Sequence, residues 1–103
     1  MCARRAPTVR YKRHAMARPL SLALAEHVVD WRRLAWPIPW SEVFGRSAPL
    51  ALEIGFGNGS FLAEQAAAHP ERDHIGIELS WTAATHLFRR LHRADLHNAR
   101  VLL

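Results

Sequence analysis

Between Leu52 and Ser60 the chain reads Leu-Glu-Ile-Gly-Phe-Gly-Asn-Gly-Ser, an apolar run passing into three glycines and then into a helix-forming segment. Glycine at 55, 57 and 59 lets the backbone turn tightly with no Cβ in the way. A ligand can then approach the free N–H groups at the start of the following helix. Glu78 follows Gly59 by 19 residues, at the end of the next apolar run. A carboxylate there can accept hydrogen bonds from both hydroxyls of a ribose. Strand, glycine loop, helix and distant acid together describe a site for an adenosine-bearing ligand; the plain alternative for the glycines is an ordinary strand-to-helix turn. The frame also separates cofactors. The dinucleotide fingerprint is G-x-G-x-x-G, whereas here Gly59 stands at the fifth place and Ser60 at the sixth. Glu53, two residues ahead of Gly55, would repel a pyrophosphate but attract the amino group of a sulfonium cofactor. S-adenosylmethionine is therefore expected in preference to NAD. The plain alternative for Glu53 is a strand-end carboxylate bonded to a neighbouring loop.

These residues need elements to hold them. Leu50–Ile54 reads as a short buried strand, and the segment 60–69, with Phe61, Leu62, Gln65 and Ala66 on one face, as a helix stopped by Pro70. Asp73–Leu79 reads as a second strand. Ser80 is placed to cap a second helix, whose Trp81, Ala84, Leu87, Phe88 and Leu91 form a stripe opposite Arg89, Arg90 and Arg93. After the turn at His97-Asn98, Val101–Leu103 opens a third strand. Alternating strands and helices of these lengths imply a parallel α/β sheet with right-handed crossovers. Upstream, Leu20, Leu24, Val28 and Trp31 recur at helical spacing, which predicts an amphipathic helix from Pro19 to about Arg33. Two prolines within Trp36-Pro-Ile-Pro-Trp40 then forbid regular helix. Ser41 is a candidate cap for a short turn over 42–44, closed by Gly45. The chain divides accordingly into a basic tail (1–18), a lead-in helix with a proline-rich linker (19–48), and half of a ligand-binding domain (49–103).

Composition narrows the class. The 103 residues carry a formal charge of +5 and half of them are apolar, which suits one small domain or part of one. The charge is uneven: Arg4, Arg5, Arg10, Lys12, Arg13 and Arg18 all precede the first acid, Glu26, so residues 1–25 hold +6 and the remainder −1. Such a tail either meets polyanions or is merely solvated, and by composition alone it also fits a transit peptide. A lone cysteine, Cys2, excludes an internal disulfide and favours a reducing compartment, the cytoplasm. No apolar run has the length of a membrane span or a secretory signal. Seven histidines raise the question of a metal, but His86, His92 and His97 are spaced by six and five, off one helix face, so surface histidines are expected and no metal site. Arg89, Arg90 and Arg93 read first as a solvated face and only second as holders of phosphates. Trp31, Trp36, Trp40 and Trp81 read as packing residues before base-stacking ones.

The segments Glu53-Ile-Gly-Phe-Gly-Asn-Gly59, His74-Ile-Gly-Ile-Glu-Leu79 and Asn98-Ala-Arg-Val101 resemble the bacterial tRNA (guanine-N7)-methyltransferases, a family of class I methyltransferases. Trp40 to Gly45, with Phe44-Gly45 just ahead of the first strand, is similar too, so the resemblance covers about residues 40–103. It implies a Rossmann-like class I methyltransferase fold, here its first two βα units and the start of the third strand behind an N-terminal helical extension. It further implies that Glu53 and Glu78 touch S-adenosylmethionine, that Gly55, Gly57 and Gly59 wrap it, and that tRNA is the partner. In that family the catalytic aspartate lies after the fourth strand. The chain is thus expected to carry no catalytic residue and to be an N-terminal fragment, inactive alone. Two readings stand beside this one: a methyltransferase for another substrate, and a non-catalytic RNA-binding fragment.

Overall fold

A computed structural model describes residues 26–103. The basic tail and the first part of the expected lead-in helix lie outside the described residues. Glu26 and His27 are helical, but the helix expected to reach Arg33 stops there. Val28 instead forms a parallel bridge with Val101, and the Val29 N–H donates to the Val101 carbonyl at 2.9 Å. Two adjacent β-branched residues beside an open strand edge gain more from edge pairing than from another helical turn. The side chain of His27 fixes the docking. It is buried, its Nδ1 lies 3.0 Å from the Ala99 carbonyl, and its ring stacks on Phe88. A single 3₁₀ turn, Trp31–Arg33, follows, and the Trp31 indole N–H donates to the Leu103 carbonyl at 3.3 Å. A short α-helix, α1 (Trp40–Phe44), begins directly after Pro39 and ends at Gly45 with φ +77°. Ser41 therefore lies inside the helix and does not cap it, because Pro39, with φ preset near the helical value, already supplies the entry.

The remaining chain alternates β1 (Leu50–Ile54), α2 (Ser60–Ala68), β2 (Asp73–Ile77), α3 (Trp81–Arg93) and β3 (Ala99–Leu102). The three strands form one parallel sheet in the order β1-β2-β3. Registers of Glu53 against Gly76 and Gly76 against Val101 put these residues on one face. On that face α2 and α3 bury Leu62, Ala84, Leu87, Phe88 and Leu91 with Phe56, Ala99 and Val101. The α/β class and parallel sheet expected from the sequence are present. Three details differ. The second strand ends at Ile77, leaving Glu78 and Leu79 in the turn, and the third begins two residues early at Ala99. Phe61 and Trp81, expected on buried stripes, are 57% and 51% exposed, since each opens its helix beyond the strand ends.

The other face is covered unevenly. Arg100 sets its guanidinium 4.8 Å over the Phe44 ring, which places α1 against β3, while Leu50, Leu52 and Ile54 of β1 stand 48%, 59% and 74% exposed. The expectation of a buried first strand thus holds for its bounds and fails for these side chains. Two polar staples hold the far end of the sheet. Arg46 donates from Nε and Nη2 to one oxygen of the buried Asp73 carboxylate at 2.9 and 2.7 Å. The Asn98 amide nitrogen donates to the carbonyls of Ala66, His69 and Arg72 at 3.0 to 3.3 Å, satisfying acceptors at the open end of α2. Among the described residues no helix is long and apolar enough to cross a membrane.

Candidate functional site

Glu53, the three glycines and Glu78 lie at the carboxyl ends of β1 and β2, where parallel sheets bind their ligands. Gly55 leaves β1 with φ +75°, its N–H donating to the Ile77 carbonyl, and Gly57 and Gly59 follow at φ +61° and +82°. At Gly59 glycine is needed twice over, because a Cβ would lie 2.6 Å from the Leu87 Cβ as well as sitting on a left-handed backbone. Around Gly55 and Gly57, by contrast, a Cβ would meet no atom within 4 Å, so this side of the loop faces open space. Phe56 turns inward and becomes core, and its ring lies so close over β2 that a Cβ at Gly76 would come within 2.6 Å of it. The glycine of the Gly-Ile-Glu segment is thus dictated by the loop one strand away.

Glu78 ties the loop to the β2–α3 turn. Its Oε1 accepts the Gly57 N–H at 3.1 Å, and its Oε2 accepts those of Leu79 and Ser80 at 2.9 and 2.8 Å. Hydrogen bonds from Ser80, Gly57 and Leu79 hold its carboxyl below the ordinary range, against a small opposing effect of burial. The Ser80 hydroxyl accepts from the Ala83 N–H at 3.1 Å and caps α3, as the sequence suggests. Glu53 is the opposite case. Its Oε1 is buried and has no hydrogen-bond partner among the described residues, and desolvation pushes its pKa up. The plain alternative, a carboxylate satisfied by a neighbouring loop, does not describe that oxygen.

Gly55, Gly57, Gly59 and Glu78 are therefore brought together, with Glu53 one residue inside the end of β1. Two contributors escape sequence reasoning. Asn58, one residue ahead of the N-cap Gly59, accepts the Ser60 N–H on its side-chain oxygen at 2.9 Å in a local turn at the start of α2, for which an Asn ahead of Gly-Ser is a usable signal. Arg90, expected on a solvated face, donates from Nε to the Asn58 carbonyl at 3.1 Å, and nothing in its spacing announces this. His86 and His92 are exposed. His97 instead pairs with Glu26 and with Asp95, and burial opposes its protonation less than these carboxylates favour it, so its pKa is raised. Among the described residues no group of three His, Cys, Asp or Glu is arranged to hold a metal.

Comparison with known proteins bears on the same segment. A family model described as "Putative methyltransferase" matches residues 47–103. A tRNA (guanine-N(7)-)-methyltransferase of Thermotoga maritima is 48% identical over 67 residues, 65% of this chain and 21% of that protein. The enzyme of the same name from Alkalilimnicola ehrlichii is 51% identical over 67 residues, 65% of this chain and 28% of the relative. That of Thermus thermophilus is 42% identical over 74 residues, 72% of this chain and 24% of the relative. The chain thus spans about a quarter of the length of the curated relatives it matches. The family model takes in the glycine loop, Glu78, all three strands and more than half of the sequence, and the chain belongs to this family of methyltransferases.

Proposed function

We propose that this chain forms the cofactor-holding part of an enzyme that transfers a methyl group from S-adenosylmethionine to N7 of guanine in tRNA. The observation that carries the cofactor reading is the buried, unpartnered Oε1 of Glu53 next to a glycine loop with an open side. An oxygen stripped of water and lacking a donor is stabilised by an incoming ammonium, which the amino group of this cofactor provides. Glu78 keeps an acceptor site on Oε1 for a ribose hydroxyl beside its bonds from Gly57, Leu79 and Ser80, and Gly55 and Gly57 lie against the ligand without Cβ atoms. The acceptor carboxylates suit amino and hydroxyl donors, whereas a pyrophosphate would meet two carboxylates. When bound, S-adenosylmethionine supplies a methyl group activated by its sulfonium.

Guanine N7 carries an exposed lone pair and needs no deprotonation, so neither Glu53 nor Glu78 is asked to move a proton. Both hold and orient. Alignment of the reacting atoms alone can contribute about 7–11 kcal/mol. The choice of tRNA is supported by the names of the relatives and by the six cations of residues 1–25, which suit phosphates and position a substrate without selecting a base. The cytoplasm is the compartment that goes with this substrate. Binding of labelled S-adenosylmethionine and of labelled tRNA tests both halves of the reading. Glu78→Ala is expected to abolish cofactor binding. Deleting residues 1–18 is expected to weaken tRNA binding and to reduce the slope of log K against log salt by up to about 4 to 5. Undiminished cofactor binding in Glu78→Ala, or an unchanged salt slope after the deletion, would contradict the corresponding half.

A further inference from the structure

Asn58 stands at the tip of the glycine loop, and the peptide groups around it are held by residues from three different elements. Glu78, in the turn after β2, takes the Gly57 N–H at 3.1 Å, and the Phe56 carbonyl takes the Gly59 N–H at 3.0 Å. The Asn58 carbonyl, also at the tip, accepts from Nε of Arg90 at 3.1 Å. Arg90 lies near the end of α3, 32 residues away in sequence, and is partly buried, whereas its neighbours Arg89 and Arg93 are exposed. We infer that Arg90 is a positioning residue of the cofactor site, fixing the Asn58–Gly59 peptide plane so that the glycine loop keeps one shape. This rests on the cofactor reading given above.

The physical need for such a clamp follows from the loop itself. Gly55, Gly57 and Gly59 all sit at positive φ, and a Cβ at Gly55 or Gly57 would touch nothing, so packing does not hold that side. Glycine-rich backbone loses the most conformational freedom on ordering. A loop ordered in advance by hydrogen bonds spares a ligand that cost. Glu78 reaches only the Gly57 N–H, and at the Asn58–Gly59 peptide, whose N–H side bonds to the Phe56 carbonyl inside the loop, Arg90 holds the carbonyl side from α3. The guanidinium is suited to this, with a donor fixed in a rigid plane on a side chain long enough to reach across from α3.

The test uses the full chain and four proteins: unmodified, Arg90→Ala, Arg90→Lys and Arg89→Ala. S-adenosylmethionine affinity is measured by calorimetry, and the exchange of the Gly57 and Gly59 amides by NMR. Losing one charge-assisted bond that organises the loop is expected to weaken binding about fivefold in Arg90→Ala. Those two amides should exchange faster while the α3 amides do not. Arg90→Lys, which retains a donor, should recover most of the affinity, and Arg89→Ala should match the unmodified chain. Unchanged affinity and exchange in Arg90→Ala, or equal losses in Arg89→Ala, would overturn the positioning role. Should Arg90→Ala melt early, Arg90→Lys decides, because a purely structural defect leaves affinity per folded molecule and loop exchange intact. If the unmodified chain itself fails to bind S-adenosylmethionine, the cofactor reading falls instead, and that titration tells the two failures apart.

Discussion

Glu53 and Glu78 sit at adjacent strand ends and are treated in opposite ways by their surroundings. Glu78 accepts three backbone N–H bonds and is held ionised; Glu53 has a buried oxygen with none and is pushed toward its neutral form. For Glu78 the folded pKa lies below the unfolded one. Its contribution to stability is therefore complete above the unfolded value of about 4.3 and is lost as the pH falls through the folded value. Glu78→Gln is expected to flatten this acid limb, so that the gap between the denaturant midpoints of variant and unmodified chain is larger at pH 7 and narrows as the pH falls below the ordinary carboxylate range. A gap that stayed constant over this range would contradict the assignment. Sequence alone points to both carboxylates and all three glycines, because their types and spacing state the chemistry. It does not reveal that Glu53 lacks a donor or that Arg90 reaches Asn58, since both depend on distances between separate elements.

Helices α2 and α3 approach each other where Gly59 meets Leu87, and that contact makes the glycine loop part of the core. Gly59→Ala must pay for a left-handed alanine and displace the Leu87 backbone, a loss of about 2–4 kcal/mol in urea unfolding. A change below about 0.5 kcal/mol would show that the two helices part easily. At the opposite end of the sheet, Arg46→Ala strands the Asp73 carboxylate, whose side chain is 2% exposed, and should cost about 2–3 kcal/mol, since Arg46 itself is partly solvated. The elements were mostly legible because periodicity and caps report them: β1 and the Ser80 cap stand where expected, and α2 ends one residue before the expected limit. The early end of the lead-in helix was not legible. Pairing of Val28 and Val29 with β3 is a contact across more than seventy residues, and no local pattern carries it.

In the whole molecule, a basic leader is joined to a nearly neutral α/β unit whose glycine loop, Glu53 and Glu78 gather at one end of the sheet. Parallel strands put their carboxyl ends together, so a loop after β1 and an acid after β2 become neighbours although 19 residues separate Gly59 from Glu78. That convergence is the central claim, and amide chemical shifts recorded while S-adenosylmethionine is titrated into the chain test it most directly. Saturable shifts centred on Gly55 to Gly59 and on Glu78 to Ser80, absent with NAD, are the predicted result. Shifts confined to other parts of the chain, or a stronger response to NAD, would contradict the account.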